Sequence, residues 1–297
     1  MDTGAGSPEI VFRAPSRQLC GEAALVLEAA GLRPVIRDLE GHWIVVVAAH
    51  EATPARREID AWRAEQQTVR AEPPARRPLA NGRAGILGYL LVVIAVALAV
   101  GNYALGLDWL AAGRIDGAAM RTGEWWRAFT GLTLHADLEN LAANMFFGSV
   151  FGGFAGRYLG SGVAWLLILL AGAGGNIINV LIMGPGHRAI GASTAVFAAL
   201  GLLGSLGWAG RRLSVRGRIH RWGPIIAAVA LLAYTGAGGE RTDIGAHIWG
   251  FMAGLGAGLL AARLPQRALA RPRLQLFAGL AATGAIAAAW LLALMSA

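Results

Sequence analysis

The chain has 297 residues, of which 56% are hydrophobic and 15% charged, with a net charge of +8 and a single cysteine, Cys20. A soluble domain of this length does not need so much apolar surface, and one cysteine excludes both a disulfide framework within the chain and a thiolate metal cluster. Every basic residue is arginine, and the arginines cluster at the ends of apolar blocks, which favours membrane orientation over nucleic-acid binding as their role.

The first part of the chain predicts a small α+β domain. A strand, a helix, two strands around Gly41 and a charged helix follow each other as βαββα, at residues 9–14, 16–31, 34–40, 42–49 and 51–67. Ser16 is the expected N-cap of the first helix, and Gly31 its C-terminal stop. We therefore expect a cytosolic domain over residues 1–69, followed by a Pro- and Arg-rich linker over residues 70–83.

Apolar blocks follow the linker. A bilayer core of about 30 Å needs about 20 helical residues, and seven blocks approach that length: residues 84–106, 138–158, 162–183, 190–209, 223–238, 243–262 and 274–295. This pattern predicts an all-α polytopic membrane protein of about seven spans. Residues 84–263 would form a six-helix core, and residues 264–297 a basic loop with a seventh helix. The first residues have no apolar core, so we expect no cleavable signal peptide.

The arginines predict the orientation of these spans. With the N-terminus inside, the inner joints hold fourteen arginines and the outer joints five. The N-terminus is therefore predicted to be cytoplasmic and the C-terminus to lie outside. The long joint of residues 107–137 would then be an outer loop, in which Trp125 and Trp126 suit the membrane interface.

Four polar side chains converge near the outer end of three predicted spans. Ser193 and His247 lie about 5 Å below that end, and Asn140 and Asn144 form one helix face at about 3–9 Å. Serine and asparagine also serve structural roles in membrane helices, whereas an ionisable histidine within a span is usually functional. We expect a shared layer of Ser193, His247, Asn140 and Asn144.

Small residues around Ser193 and His247 would let their helices approach closely. Gly250 and Gly254 share the face of His247, and Gly191 precedes a run with alanine at every fourth position. Close approach would let His247 act as a base for a Ser193 nucleophile, with amide groups as donors to an oxyanion. Asp243 could orient His247, although a capping role suits its boundary position better.

These residues resemble the rhomboid family of intramembrane serine proteases. The resemblance rests on "GEWWRAFT", "LHADLENLAANM", "GAST" and "AHIWGFMAG", which occur in family order over about residues 84–263. It implies Ser193 as nucleophile, His247 as general base, Asn144 as oxyanion donor and Phe197 as the aromatic residue beneath the pair. It also implies hydrolysis of transmembrane substrates near the outer face, in a bacterial inner membrane, with no cofactor or metal.

Two positions depart from the family pattern. Asn140 stands where a second histidine is usual, and Thr194 stands where glycine often follows the nucleophile. An amide can still donate, so Asn140 predicts a modified oxyanion hole. The alternative function is a catalytically silent rhomboid-like protein that binds transmembrane helices; a transporter is disfavoured because no inverted repeat is evident.

Overall fold

The structure is a computed structural model of the chain, and it describes residues 7–70, 78–79, 82–209, 225–226, 228–230, 233 and 243–297. The chain divides into two compact units, Met1–Pro73 and Pro74–Ala297. Most of the predicted fifth span (223–238), most of the linker, and the basic joint that includes His220 lie outside the described residues. The predictions for these segments therefore stay predictions.

The N-terminal unit is an α+β domain, as predicted. Its elements are β1 (Glu9–Ala14), α1 (Arg17–Ala29), β2 (Val35–Leu39), β3 (His42–Val47) and α2 (Ala52–Arg70). The sheet is antiparallel with the order β1-β3-β2. The Ser16 hydroxyl caps α1 by accepting a hydrogen bond from the Leu19 N–H at 3.4 Å. The helices cover one face of this sheet and enclose an apolar core that includes Phe12, Cys20 and Leu27.

The described part of the second unit contains six long helices. They are α3 (Arg83–Gly101), α4 (Leu138–Leu159), α5 (Ser161–Met183), α6 (Ser193–Ala209), α7 (Ile244–Ala262) and α8 (Pro272–Met295). Helices α3, α5, α7 and α8 are long and apolar enough to cross a bilayer, and α6 is a shorter apolar helix. Helix α4 has 22 residues, but its polar N-terminal turns lower its hydropathy. The chain is therefore a multi-pass membrane protein with an all-α membrane region.

The first span ends earlier than predicted. Helix α3 stops at Gly101, and the side chain of Asn102 bonds back to the Leu98 carbonyl oxygen at 2.7 Å. Tyr103 and Leu105 then adopt positive φ angles of 43° and 62°, which a helix does not contain. The predicted end at residue 106 was wrong because the apolar sequence continues past the point where the backbone turns.

The loop of residues 102–137 is folded and is held by α8. The buried indole N–H of Trp290 donates to the Thr133 hydroxyl oxygen at 3.0 Å, and the Trp290 ring lies 4.8 Å from the Trp109 ring. A short antiparallel pair, β4 (Ile115–Asp116) with β5 (Arg188–Ala189), joins the same loop to the segment before α6. The loop is thus fastened on two sides next to the start of α6.

Candidate active site

Ser193 and His247 are in contact. Ser193 is the first residue of α6, and His247 is the fourth residue of α7. The His247 Nε2 atom lies 2.8 Å from the Ser193 Oγ atom, and the histidine is 6% exposed. This distance is within the range of a nucleophile hydrogen-bonded to its base. With Nε2 unprotonated, the serine hydroxyl donates to it and is polarised toward attack.

Glycines on α7 make this contact possible. A side chain at Gly250 would clash with the Thr194 carbonyl oxygen, and one at Gly254 would clash with the Ala198 carbonyl oxygen. The backbones of α6 and α7 therefore approach closely along the face that carries His247. Without this approach, the short serine side chain could not reach the imidazole.

Gly191 and Phe197 lie directly beside the pair. Gly191 has a φ of 137°, which disfavours residues with a side chain, and a Cβ there would lie 3.3 Å from the Ser193 Oγ atom. Its N–H donates to the Gly131 carbonyl oxygen at 2.9 Å, so the approach to the serine is tied to the loop. The buried Phe197 ring lies 4.4 Å from the His247 ring and limits its movement.

Asn140 and Asn144 face the same space from α4. The Asn144 Nδ2 atom donates to the Asn140 backbone oxygen at 2.8 Å and lies 3.3 Å from the Asn140 side-chain oxygen. The Asn144 side chain is buried, and its own backbone oxygen accepts a hydrogen bond from the Tyr89 hydroxyl at 2.8 Å. Tyr89 was not singled out from the sequence, because a tyrosine in an apolar span carries no pattern that points to α4.

One cavity of about 890 Å³ connects these groups. Its volume is within the usual range for a ligand site. We call it the site cavity. The structure brings all six candidate residues to its wall, namely Asn140, Asn144, Gly191, Ser193, Phe197 and His247. Charged side chains also line it: Arg114, Asp137, Glu139, Arg188 and Asp243. It therefore combines a paired hydroxyl and imidazole with amide donors and a charged wall.

Asp243 forms a cluster that the sequence did not reveal. Its carboxylate caps α7 through the Ala246 N–H at 3.0 Å, and it contacts His187 Nε2 at 3.0 Å and Asn179 Nδ2 at 2.9 Å. His187 lies in the loop after α5, and its side chain is largely buried in this cluster. The cluster joins the end of α5, the loop after it and the first turn of α7, so it fixes the helix start that carries His247.

His135 precedes Ala136, which lines the site cavity, but His135 itself does not line it. Both ring nitrogens are buried without a hydrogen-bond partner among the residues that the structure describes. This burial lowers the pKa of His135 from 6.5 to about 4, and the backbone of Thr133 opposes that shift only in part. The ring is thus neutral at physiological pH.

The region that contains this geometry matches a known protein family. Residues 122–264 match the family description "Rhomboid domain". Residues 122–264 of the chain therefore belong to the rhomboid family. Members of this family are typically intramembrane serine proteases.

Two curated proteins show the extent of this likeness. The chain is 31% identical to Rhomboid-like protein 11, chloroplastic, of Arabidopsis thaliana over 91 residues, which is 30% of this chain and 32% of that protein. It is 33% identical to Rhomboid protease GluP of Bacillus subtilis (strain 168) over 107 residues, which is 36% of this chain and 21% of that protein. The chain thus spans a third or less of the length of these relatives.

Proposed function

We propose that this rhomboid protein is a serine endopeptidase that hydrolyses peptide bonds of transmembrane substrates. The observation that carries the proposal is the 2.8 Å contact between His247 Nε2 and Ser193 Oγ in the wall of the site cavity. A serine hydroxyl is a weak nucleophile at neutral pH unless a base takes its proton. His247 is positioned to be that base.

The reaction follows the roles of acyl transfer. The Ser193 Oγ atom attacks the carbonyl carbon of the substrate while its proton passes to His247 Nε2. The carbon–nitrogen bond of the tetrahedral intermediate then breaks, and the imidazolium gives its proton to the leaving amine. A water molecule attacks the acyl-serine by the same route, with His247 again as base, and releases the acid product.

The negative oxygen of the intermediate needs hydrogen-bond donors. Ser193 opens α6, and the first N–H groups of a helix have no acceptor within the helix. The Asn144 amide is the second donor that we propose. Of its two contacts with Asn140, the 3.3 Å one is longer than a good hydrogen bond, so a developing oxyanion could replace it. Asn140 would then hold the other amide hydrogen and orient Asn144.

The setting of the reaction is also a proposal. Arginine counting supports an N-terminus in the cytoplasm and a site cavity that faces the outer side, in a bacterial inner membrane. Substrates would be membrane-spanning proteins that enter from the bilayer and unwind locally to reach Ser193. Gly191 and Phe197 would limit the substrate side chains that fit beside the pair.

A fluorophosphonate probe tests the nucleophile directly. The detergent-solubilised protein is expected to react, and Ser193→Ala is expected not to react. Ser205→Ala is the matched control, because Ser205 lies buried on the same helix with its hydroxyl bonded to the Leu202 oxygen. Equal labelling of the wild type and Ser193→Ala would reject the proposal. Retention of a model transmembrane peptide without cleavage would indicate the silent helix-binding alternative.

A further inference from the structure

A second cavity lies between α3, α5 and α8. Its volume is about 410 Å³, and its wall is mostly apolar. Small residues line it on all three helices: Gly88 on α3 faces open space, whereas Gly162 on α5 packs closely against the α8 backbone at Gln275. We call it the α3–α8 crevice. It shares no catalytic candidate with the site cavity.

Gln275 and Thr283 at the crevice are already bonded, whereas the buried indole nitrogen of Trp165 has no hydrogen-bond partner among the residues that the structure describes. The Gln275 Oε1 atom accepts from the Val163 N–H at 3.1 Å, and its Nε2 atom donates to the Leu159 and Leu269 oxygens at 2.9 and 2.7 Å. The Thr283 hydroxyl donates to the Gly279 oxygen at 3.0 Å. Because these groups have partners, the space suits an apolar occupant.

The length of the crevice matches one leaflet. It runs along α8 from Gln275 to Ile286, which is about 16 Å at 1.5 Å per residue. Half of a hydrocarbon core of about 30 Å is about 15 Å. One acyl chain of a phospholipid therefore fits its length, with the headgroup at the Gln275 end.

The Gln275 end of the crevice and the region of the site cavity differ in the charged residues near them. Residues 73–107, 140–239 and 244–297 contain no aspartate or glutamate, so the acids of the membrane region lie within 108–139 and 240–243. Arg271 and Arg273 are exposed about one turn before the first crevice residues of α8. Arg83 opens α3 beside Ala84, which also lines the crevice. An anionic headgroup at this end would meet Arg271 and Arg273, which are exposed.

We propose that the α3–α8 crevice binds one phospholipid with an anionic headgroup. One acyl chain lies along Gly88, Trp165 and Leu280, and the phosphate contacts Arg271 and Arg273. The apolar wall binds the acyl chain of the lipid, and the arginines favour an anionic headgroup over a neutral one. This inference does not depend on the proposed protease activity.

Native mass spectrometry of the purified full-length protein tests the site. The probes are phosphatidylglycerol and phosphatidylcholine with identical acyl chains. The wild type is expected to retain one phosphatidylglycerol roughly tenfold more tightly than phosphatidylcholine, because two arginines near an anionic group favour it. The double variant Arg271→Gln, Arg273→Gln is expected to bind both lipids alike.

Substitutions that fill the crevice test the proposed position of the lipid acyl chain. A Cβ at Gly88 meets nothing within 4 Å, so Gly88→Leu places its side chain in the crevice and is expected to reduce phosphatidylglycerol retention by about tenfold. Gly284→Leu is the matched control, because Gly284 also has open space but does not line the crevice. Thr283→Phe fills the crevice from the opposite wall. Thermal unfolding without added lipid shows whether each variant is folded.

Three results would overturn the proposal. The first is equal retention of the two lipids by the wild type, and the second is unchanged retention in folded Gly88→Leu and Thr283→Phe. The third is a dimer that Gly88→Leu converts to a monomer, because a second copy of the chain would then be the occupant. An unfolding temperature of the wild type that rises with phosphatidylglycerol, and not with phosphatidylcholine, would support it.

Discussion

The site cavity and the α3–α8 crevice are built by the same small-residue packing, yet their chemistry differs. The site cavity is lined by the first turns of α4, α6 and α7, where Asn140, Ser193 and His247 lie. The crevice is lined by α3, α5 and α8, with part of the 102–137 loop and the start of α6, and largely by alanine, glycine, valine and leucine. The first cavity therefore presents groups that react, and the second presents groups that only pack.

Reactive groups gather at helix starts for a physical reason. The first N–H groups of a helix have no acceptor within the helix, so these turns attract carboxylates and other polar side chains. Asp137 caps α4 through the Asn140 N–H at 2.8 Å, and Asp243 caps α7 through the Ala246 N–H at 3.0 Å. Polar side chains in these first turns can contact one another. The middle turns of a helix already have their N–H groups bonded within the helix, so they do not require polar side chains.

The largest effect is expected when the base is removed from the site cavity. His247→Ala should lower cleavage of a model transmembrane substrate by about 10³-fold or more, because positioned bases typically contribute 10²–10⁴-fold. The measurement is the cleavage rate of the reconstituted protein, with Ser205→Ala as the control for a change in a neighbouring buried helix. A His247→Ala cleavage rate close to that of the wild type would reject the proposal that His247 is the catalytic base.

The next effect separates the two asparagines. Asn144→Ala should lower kcat by about 10²–10³-fold, the effect of losing one oxyanion donor. Asn140→Ala should have a smaller effect, since Asn140 only orients Asn144. The comparison is made at saturating substrate, so that binding does not contribute. An Asn140→Ala defect larger than that of Asn144→Ala would reverse the two roles.

The third effect tests the helix packing beside the site cavity. Gly250→Ala should destabilise the protein by about 1–3 kcal/mol, because the added methyl group meets the Thr194 carbonyl oxygen. Gly256→Ala is the matched change on the same helix, where a Cβ meets nothing within 4 Å. Thermal unfolding in one detergent compares the two. Equal unfolding temperatures would contradict the close approach of α6 and α7.

The smallest effect concerns His135, whose ring nitrogens are buried without a hydrogen-bond partner among the described residues. Its pKa of about 4 in the folded protein lies below its ordinary 6.5, so the unfolded chain binds the proton first as pH falls. Stability should therefore fall between about pH 6.5 and pH 4, by about 1.4 kcal/mol at pH 5.5. His135→Phe keeps a ring without titration and should flatten this part of the curve. An unchanged pH dependence in His135→Phe would place the titration elsewhere.

Much of the fold follows from local sequence. Length and hydropathy placed α4, α5, α7 and α8 within two residues of their observed ends, because each span is one continuous apolar segment. The meeting of Ser193 and His247 also follows from equal depth and small neighbours. These properties are readable because they depend on residues close together in the chain.

The contacts that complete the site depend on distant residues. Tyr89 bonds to the backbone of Asn144 across 55 positions, and Asp243 meets Asn179 across 64. No local pattern reports such pairs, since each partner is one of many polar groups that need a neighbour. The turn after Gly101 was missed for another reason, because hydropathy continues where the helix does not.

Helix α8 has a consequence for how the protein is made. Gln275 fastens one end of α8 to the α4–α5 turn, and Trp290, about 22 Å further along the helix, fastens the other end to Thr133 in the 102–137 loop. Ribosomes synthesise α8 after every other described helix. A nascent chain that has reached Ala262 already contains both Ser193 and His247, but its loop lacks this strut. We therefore expect the site to reach its mature geometry only after α8 has inserted.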